Sequence, residues 1–160
     1  MNQSASTSST AALSLQPVNS ENWRDIAKLT VTEAQRDFIT TSTYYLALCC
    51  YDPTGWQPLA LNLGDRVIGF LMWAVDPDDG SCWLGGVLVD RAFQGRGHGR
   101  NMVRMVLSKL ADEHGFQQFA LSYEPTNLTA KRLYADIGFT ETGERAEDEV
   151  VARLSIADPE

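Results

Sequence analysis

The apolar positions change period several times along the chain, and each change marks an element. Leu13, Leu15 and then Val18 give a short alternating strand, closed by Asn19 and Ser20. Trp23, Ile26, Ala27 and Leu29 recur at helical spacing. A second helical stretch follows, with Ala34, Phe38, Tyr45, Leu46 and Cys49 as its inner face, until Pro53 and Gly55 end it. The period then drops to two. Leu59, Leu61 and Leu63 alternate, Gly64-Asp65 turns the chain, and residues 67–73 form a mostly apolar strand. Asp76-Pro77-Asp78-Asp79-Gly80 is a turn, and Trp83 through Val89 makes the next strand. Three consecutive strands with short connections predict an antiparallel meander and not the opening of a parallel sheet.

Beyond the glycines at 95–99 the helical period returns. Met102, Val103, Val106, Leu107 and Leu110 make one stripe, with Arg100, Arg104, Lys109 and Glu113 away from it, and Gly115 ends the helix. Phe119 and Leu121 alternate as a strand, and Asn127 to Ile137 is a helix stopped by Gly138. Phe139-Thr140 and Val150–Leu154 supply two final strands around an acidic turn. The order is β-α-α-β-β-β-α-β-α-β-β: an α+β chain, arranged as a three-layer α/β sandwich, of about seven strands and four helices. Residues 1–12 are Ser/Thr/Ala-rich and too poor in apolar groups to pack, so they are expected to be a disordered tail before a single domain over 13–160.

Charge narrows the functional classes. With 13 basic and 21 acidic side chains the net charge is −8, which argues against a nucleic-acid binder and suits a cationic substrate. No apolar run approaches the roughly 20 residues that span a bilayer, and the N-terminus lacks the features of a signal peptide, so no membrane partner is expected. Cys49, Cys50 and Cys82 form no CxxC pair, which fits a reducing cytoplasm. His98 and His114 have no metal-ligand spacing with these cysteines, and no metal is assigned.

The chemistry concentrates in Leu88-Val89-Asp90-Arg91-Ala92-Phe93-Gln94-Gly95-Arg96-Gly97-His98-Gly99-Arg100, where a strand runs into glycines that open a helix. Such a turn aims backbone N–H groups and the positive end of the helix dipole at a phosphate. Arg91, Arg96, Arg100 and Arg104 cluster here with no acid between Asp90 and Asp112, a basic island in an acidic chain. A Walker A loop needs GxxxxGK[ST], which is absent. A Rossmann fingerprint needs GxGxxG in an early βαβ unit, whereas here GxGxG follows a meander.

Gln94-Gly95-Arg96-Gly97-His98-Gly99 resembles the Q/R-x-x-G-x-G/A pyrophosphate loop of the GNAT superfamily of acetyl-CoA-dependent N-acetyltransferases. Asn127 through Phe139 resembles the same family's N-x-x-A-x-x-L-Y-x-x-x-G-F, and the two motifs stand in the family's order. The resemblance covers residues 13–155. It implies a mostly antiparallel mixed sheet splayed at its centre and acetyl-CoA as co-substrate, with backbone groups of Val87, Leu88 and Val89 pairing with pantetheine. It further implies that the amides of Gly95, Arg96, Gly97, His98, Gly99 and Arg100 hold the pyrophosphate beside Gln94. Asn127 would bond the pantetheine or a nearby loop, and Tyr134 would protonate the departing thiolate. Asn127 and Tyr134 are seven residues apart, about two turns, so they share a helix face. The implied reaction is direct attack of an amine in a ternary complex.

Val31-Thr32-Glu33-Ala34-Gln35-Arg36-Asp37-Phe38-Ile39 further resembles the V-x-x-x-Q-x-x-F-I segment of the bacterial diamine/polyamine acetyltransferases. One departure is Gly85-Gly86, where that branch commonly places an acid; strand glycines predict a bulge or a close approach instead. The base is then expected from Glu124 or Glu149, with Glu33 lining the acceptor mouth. Trp73 and Trp83 are expected to pack in the core, the alternative being an acceptor pocket. The expected substrate is a small-molecule primary amine, with a peptide acetyltransferase or a non-catalytic acyl-CoA-binding module as the competing readings. Exposed edges of the C-terminal hairpin make a homodimer the expected assembly.

Overall fold

The protein is described by a computed structural model over residues 11–156. The tail expected over 1–12 lies outside the described residues except for Ala11 and Ala12, as do the last four residues of the expected domain. Strands β1 (Leu13–Pro17), β2 (Gln57–Leu63), β3 (Arg66–Val75), β4 (Cys82–Val89), β5 (Gln118–Tyr123), β6 (Thr140–Ala146) and β7 (Glu149–Ser155) form one sheet in the order β1-β2-β3-β4-β5-β7-β6. Helices α1 (Trp23–Ala27), α2 (Ser42–Tyr51), α3 (His98–His114) and α4 (Leu128–Ile137) accompany them, in the sequence order that the periodicity gives. Every neighbouring pair is antiparallel except β4 and β5, which run parallel.

The second helical stretch differs from its reading. Residues 33–35 form only a 3-10 turn, closed by a capping box between Thr32 and Gln35, and α2 starts afresh at Ser42. Thr41 ends the gap by accepting the Tyr44 N–H at 3.3 Å, the alternative bonding that makes threonine a cap instead of a helix interior. Ala34 is consequently exposed, while Phe38, Tyr45, Leu46 and Cys49 do turn inward.

Strand β3 separates two cores by its alternation. Leu71 joins Leu84, Met102, Val106, Leu110, Phe119 and Leu121 beneath α3. Phe70 and Met72 join Ile26, Ala60 and Leu88 beneath α1 and α2. Each of these buried side chains except the small Ala60 contributes about 1.5–3 kcal/mol, enough together to fix which face each strand shows to which helix.

The sheet is nearly split. Strand β4 pairs with β5 over only two rungs, Cys82 with Phe119 and Trp83 with Ala120, before the strands part. The parting begins at a bulge, because Phe70 pairs with Leu88 and Met72 with Gly85, leaving Gly86 and Val87 opposite the single residue Leu71. Gly86 sits at φ +59°, and a Cβ there would lie 3.1 Å from the Tyr45 ring and 3.2 Å from that of Phe70. The bulge and the close approach are thus both present, and a bulge bends its strand away from a neighbour.

Candidate active site

A cavity of about 970 Å³ opens where β4 and β5 part. Its deep wall is β4 itself. Asp90 N–H reaches Ile68 O at 2.7 Å, and in an antiparallel ladder residues two apart turn the same way, so the backbone groups of Leu88 also face β3. Those of Val87 and Val89 face the cavity. The Val89 carbonyl is already used: the Gln94 side-chain amide donates to it at 2.9 Å and to Gln35 Oε1 at 2.8 Å.

The turn after β4 is organised by Asp90, whose carboxylate accepts from Thr30 N–H at 3.0 Å and Ala92 N–H at 3.2 Å. Gly95 and Gly97 follow at φ +77° and +80°, with nothing within 4 Å of where a Cβ would stand. Glycine is needed there for its left-handed backbone, not for space. Asn101 N–H donates to Gly97 O at 3.1 Å, so the amides of His98, Gly99 and Arg100 precede the first helical donor and are free for a ligand. Their helix, α3, has 17 residues and directs its positive end here. His98 Nδ1 and Arg100 Nε are buried without a partner among the described residues.

The basic island contributes less than its composition implies. Arg100 is ion-paired with Asp136 at 2.7 Å, Arg96 lies over the Phe93 ring at 5.6 Å, and Arg91 and Arg104 are exposed. Of the four only Arg100 lines the cavity, joined by Arg132 from α4, which the sequence reading passed over because it sits outside the glycine stretch.

On the opposite wall, Asn127 caps α4 by accepting the Ala130 N–H at 3.2 Å and also lines the cavity. Two turns on, Tyr134 is 8% exposed, between the rings of Tyr123 at 5.8 Å and Phe139 at 6.0 Å, yet it too lines the cavity. Burial first, then the neighbouring Tyr45, Glu149 and Tyr123, raise its phenol above the ordinary tyrosine value. Tyr123 is pushed up to about 12 by burial and by donating its hydroxyl to Glu141 at 2.8 Å.

The carboxylates divide. Glu149, half-buried at the start of β7, accepts the Ser122 hydroxyl at 2.6 Å, and Glu124 stands just beyond the end of β5; both line the cavity. Glu33 does not, since the 3-10 turn points it into solvent and presents Gln35 instead. Val31, Phe38 and Ile39 line the same wall. The tryptophans also divide. Trp83 walls the cavity and does not sit in the core, whereas Trp73 lies on the other face against His114 at 5.1 Å and Phe116 at 5.9 Å. Trp56 and Tyr45 complete the mouth. Their sequence surroundings carried no motif, and only their meeting over Gly85 and Gly86 reveals them.

Comparison with known proteins agrees with this architecture. A spermine/spermidine N(1)-acetyltransferase of Bacillus subtilis is 27% identical over 142 residues, covering 83% of this chain and 91% of its own. An acetyltransferase from Thermus thermophilus superposes with a TM-score of 0.75 at 18% identity, covering 92% of this chain and 99% of its own. A spermidine N-acetyltransferase from Vibrio cholerae, solved with CoA and spermine, superposes at 0.69 and 17% identity over 90% of this chain and 94% of its own. The match to the family itself runs over residues 23–139, from α1 through the end of α4, and the chain belongs to the acetyltransferase (GNAT) family.

Proposed function

We propose that the protein transfers an acetyl group from acetyl-CoA to a primary amine of a polyamine. The observation that carries the reading is the joint placement of Tyr134 and Glu149 in the gap between β4 and β5, beside a helix N-terminus with free amides. The pyrophosphate of acetyl-CoA binds the amides from Gly95 to Arg100, and its pantetheine pairs with the cavity-facing backbone of Val87 and with the Val89 N–H, the Val89 carbonyl being held by Gln94. Leu88 contributes its buried side chain to the wall, its peptide groups being turned to β3. Asn127 spends its carbonyl oxygen on the helix cap, which leaves its side-chain amide to hold the pantetheine.

The amine must first lose a proton. At pKa near 10 about 0.1% is neutral at pH 7, a cost of about 4 kcal/mol. Glu149, fixed by Ser122, takes that proton directly or through water, and Glu124 holds the ammonium at the mouth. The amine lone pair then attacks the thioester carbonyl carbon, forming the C–N bond, while an N–H of the parted half of β4 receives the oxyanion. Breaking the C–S bond expels the thiolate, which takes the Tyr134 phenol proton, and the second proton of the attacking nitrogen, acidic once the C–N bond has formed, passes through water to the phenolate and leaves the neutral amide. Burial keeps that phenol protonated at working pH, and the same dry surroundings make the thiolate more basic, which narrows the gap between donor and acceptor.

The polyamine assignment is supported by the likeness to the Bacillus spermine/spermidine acetyltransferase and by the acids at the mouth. The free thiols of Cys49, Cys50 and Cys82 support a reducing, cytoplasmic setting. The exposed edge strand β6 supports pairing of two copies, to be read as twice the monomer mass in sedimentation. The deciding experiment measures CoA thiol release from acetyl-CoA with spermidine, spermine, putrescine, amino acids, aminoglycosides and short peptides. Turnover confined to polyamines is the expected result. Turnover with another amine overturns the substrate, and acetyl-CoA binding without turnover overturns the enzyme.

A further inference from the structure

The segment bearing the polyamine-branch pattern forms one wall of the cavity: Val31, Gln35, Phe38 and Ile39 all line it. The same segment is fastened to the turn that precedes the phosphate-facing amides. At one end, Thr30 N–H donates to Asp90 Oδ1 at 3.0 Å and Thr30 O accepts from Arg91 N–H at 2.7 Å. At the other end, Gln35 Oε1 accepts from the Gln94 side chain at 2.8 Å while also accepting from Thr32 N–H at 3.3 Å. Gln94 is followed at once by Gly95 and Gly97, whose Cα positions have nothing packed against them. Beside the Asp90 carboxylate that anchors Thr30, Gln94 and Gln35 are the side-chain pair that joins the glycine turn to residues lining the acceptor wall.

We propose that Gln35 is a positioning residue: through Gln94 it lets acetyl-CoA binding fix residues 31–39 as the wall that receives the amine. The physical requirement is narrow. Only the carbonyl oxygen of Gln35 is used, as an acceptor of two N–H groups, so a carboxylate can replace it and a thioether cannot. Coupling between two ligands is reciprocal, so the amine tightens acetyl-CoA by the same factor. The inference rests on the reading of this wall as the acceptor side, and its test separates the two.

Hydrogen exchange of residues 31–39, measured with and without CoA, reads the coupling without any turnover. CoA slows exchange there in the wild type. Gln35→Met abolishes that protection and leaves the CoA dissociation constant, measured without amine, within about twofold; Gln35→Glu restores the protection. In turnover, Gln35→Met raises the amine KM about fivefold, the worth of the single hydrogen bond that joins Gln35 to Gln94, with kcat little changed. A merely structural glutamine would instead lower the melting temperature and leave CoA protection of 31–39 intact in the folded fraction. Amine turnover by the wild type without protection of 31–39 overturns the coupling and spares the proposed function. Protection without turnover of any amine overturns that function and spares the coupling.

Discussion

The two walls of the cavity are made in different ways. The donor wall is backbone: peptide groups of β4, the amides that open α3, and glycines set by torsion at 95 and 97. The acceptor wall is side chains brought from far apart in the chain, Gln35, Tyr45, Trp56, Trp83, Glu124 and Glu149 among them. Backbone recognition of a phosphate needs a fixed local conformation, so it is written in consecutive residues. Side-chain recognition of an amine needs only that groups meet, and the fold can supply them from anywhere. The first wall can stay constant while the second is rebuilt for a new acceptor.

The comparison breaks if a substitution on one wall moves the other wall's constants. Tyr134, at the junction, carries the largest expected effect. Tyr134→Phe lowers kcat roughly 100-fold, the lower end for a general acid, and leaves acetyl-CoA affinity and amine KM unchanged in steady-state and titration measurements. Glu149→Gln lowers kcat/KM for the amine about 30-fold, equivalent to about 2 kcal/mol for a bond to a charged group, with the donor's dissociation constant unmoved. Gly97→Ala, forced to hold φ +80° with a Cβ, weakens acetyl-CoA about tenfold at about 1–2 kcal/mol of strain, while amine KM at saturating donor stays put.

The effect furthest from turnover concerns stability at high pH. Tyr123 is raised from 10.0 to about 12 in the folded protein, and Tyr134 is raised as well. Well below pH 10 both phenols are protonated in the folded and unfolded chains, and their contribution to stability is full and constant. As pH climbs from 10 through 12 the unfolded chain releases these protons first, so stability falls. Urea unfolding midpoints across pH 9 to 12 read this slope, and Tyr123→Phe flattens it.

Much of this was legible from residue order alone, and the limits were physical. The strands and the two long helices follow from period and punctuation, since alternation at 59–73 and the stripe of α3 each satisfy one geometry only. The break at 36–41 was missed because the apolar spacing of Phe38, Tyr45 and Leu46 continues across it, while Thr41 acts locally as a cap. Asp136 is 36 residues from Arg100, and nothing local announces that it pairs with that arginine of the basic island. Gln35, by contrast, was singled out by pattern, but its use needed coordinates, because its partner Gln94 is 59 residues away.

The bulge in β4 has a consequence for chain length. Two residues opposite one means that β4 carries a single residue more than its partner requires. With Gly86 deleted, Leu84, Gly85, Val87, Leu88 and Val89 keep the faces they now occupy, because Val87 alone then stands opposite Leu71. Each core retains its contents, and what disappears is the bend that carries β4 away from β5. A one-codon deletion is thus expected to yield a folded chain with a continuous sheet and nowhere to seat two substrates. Opening the sheet is a matter of one residue in the count, independent of every functional side chain around it.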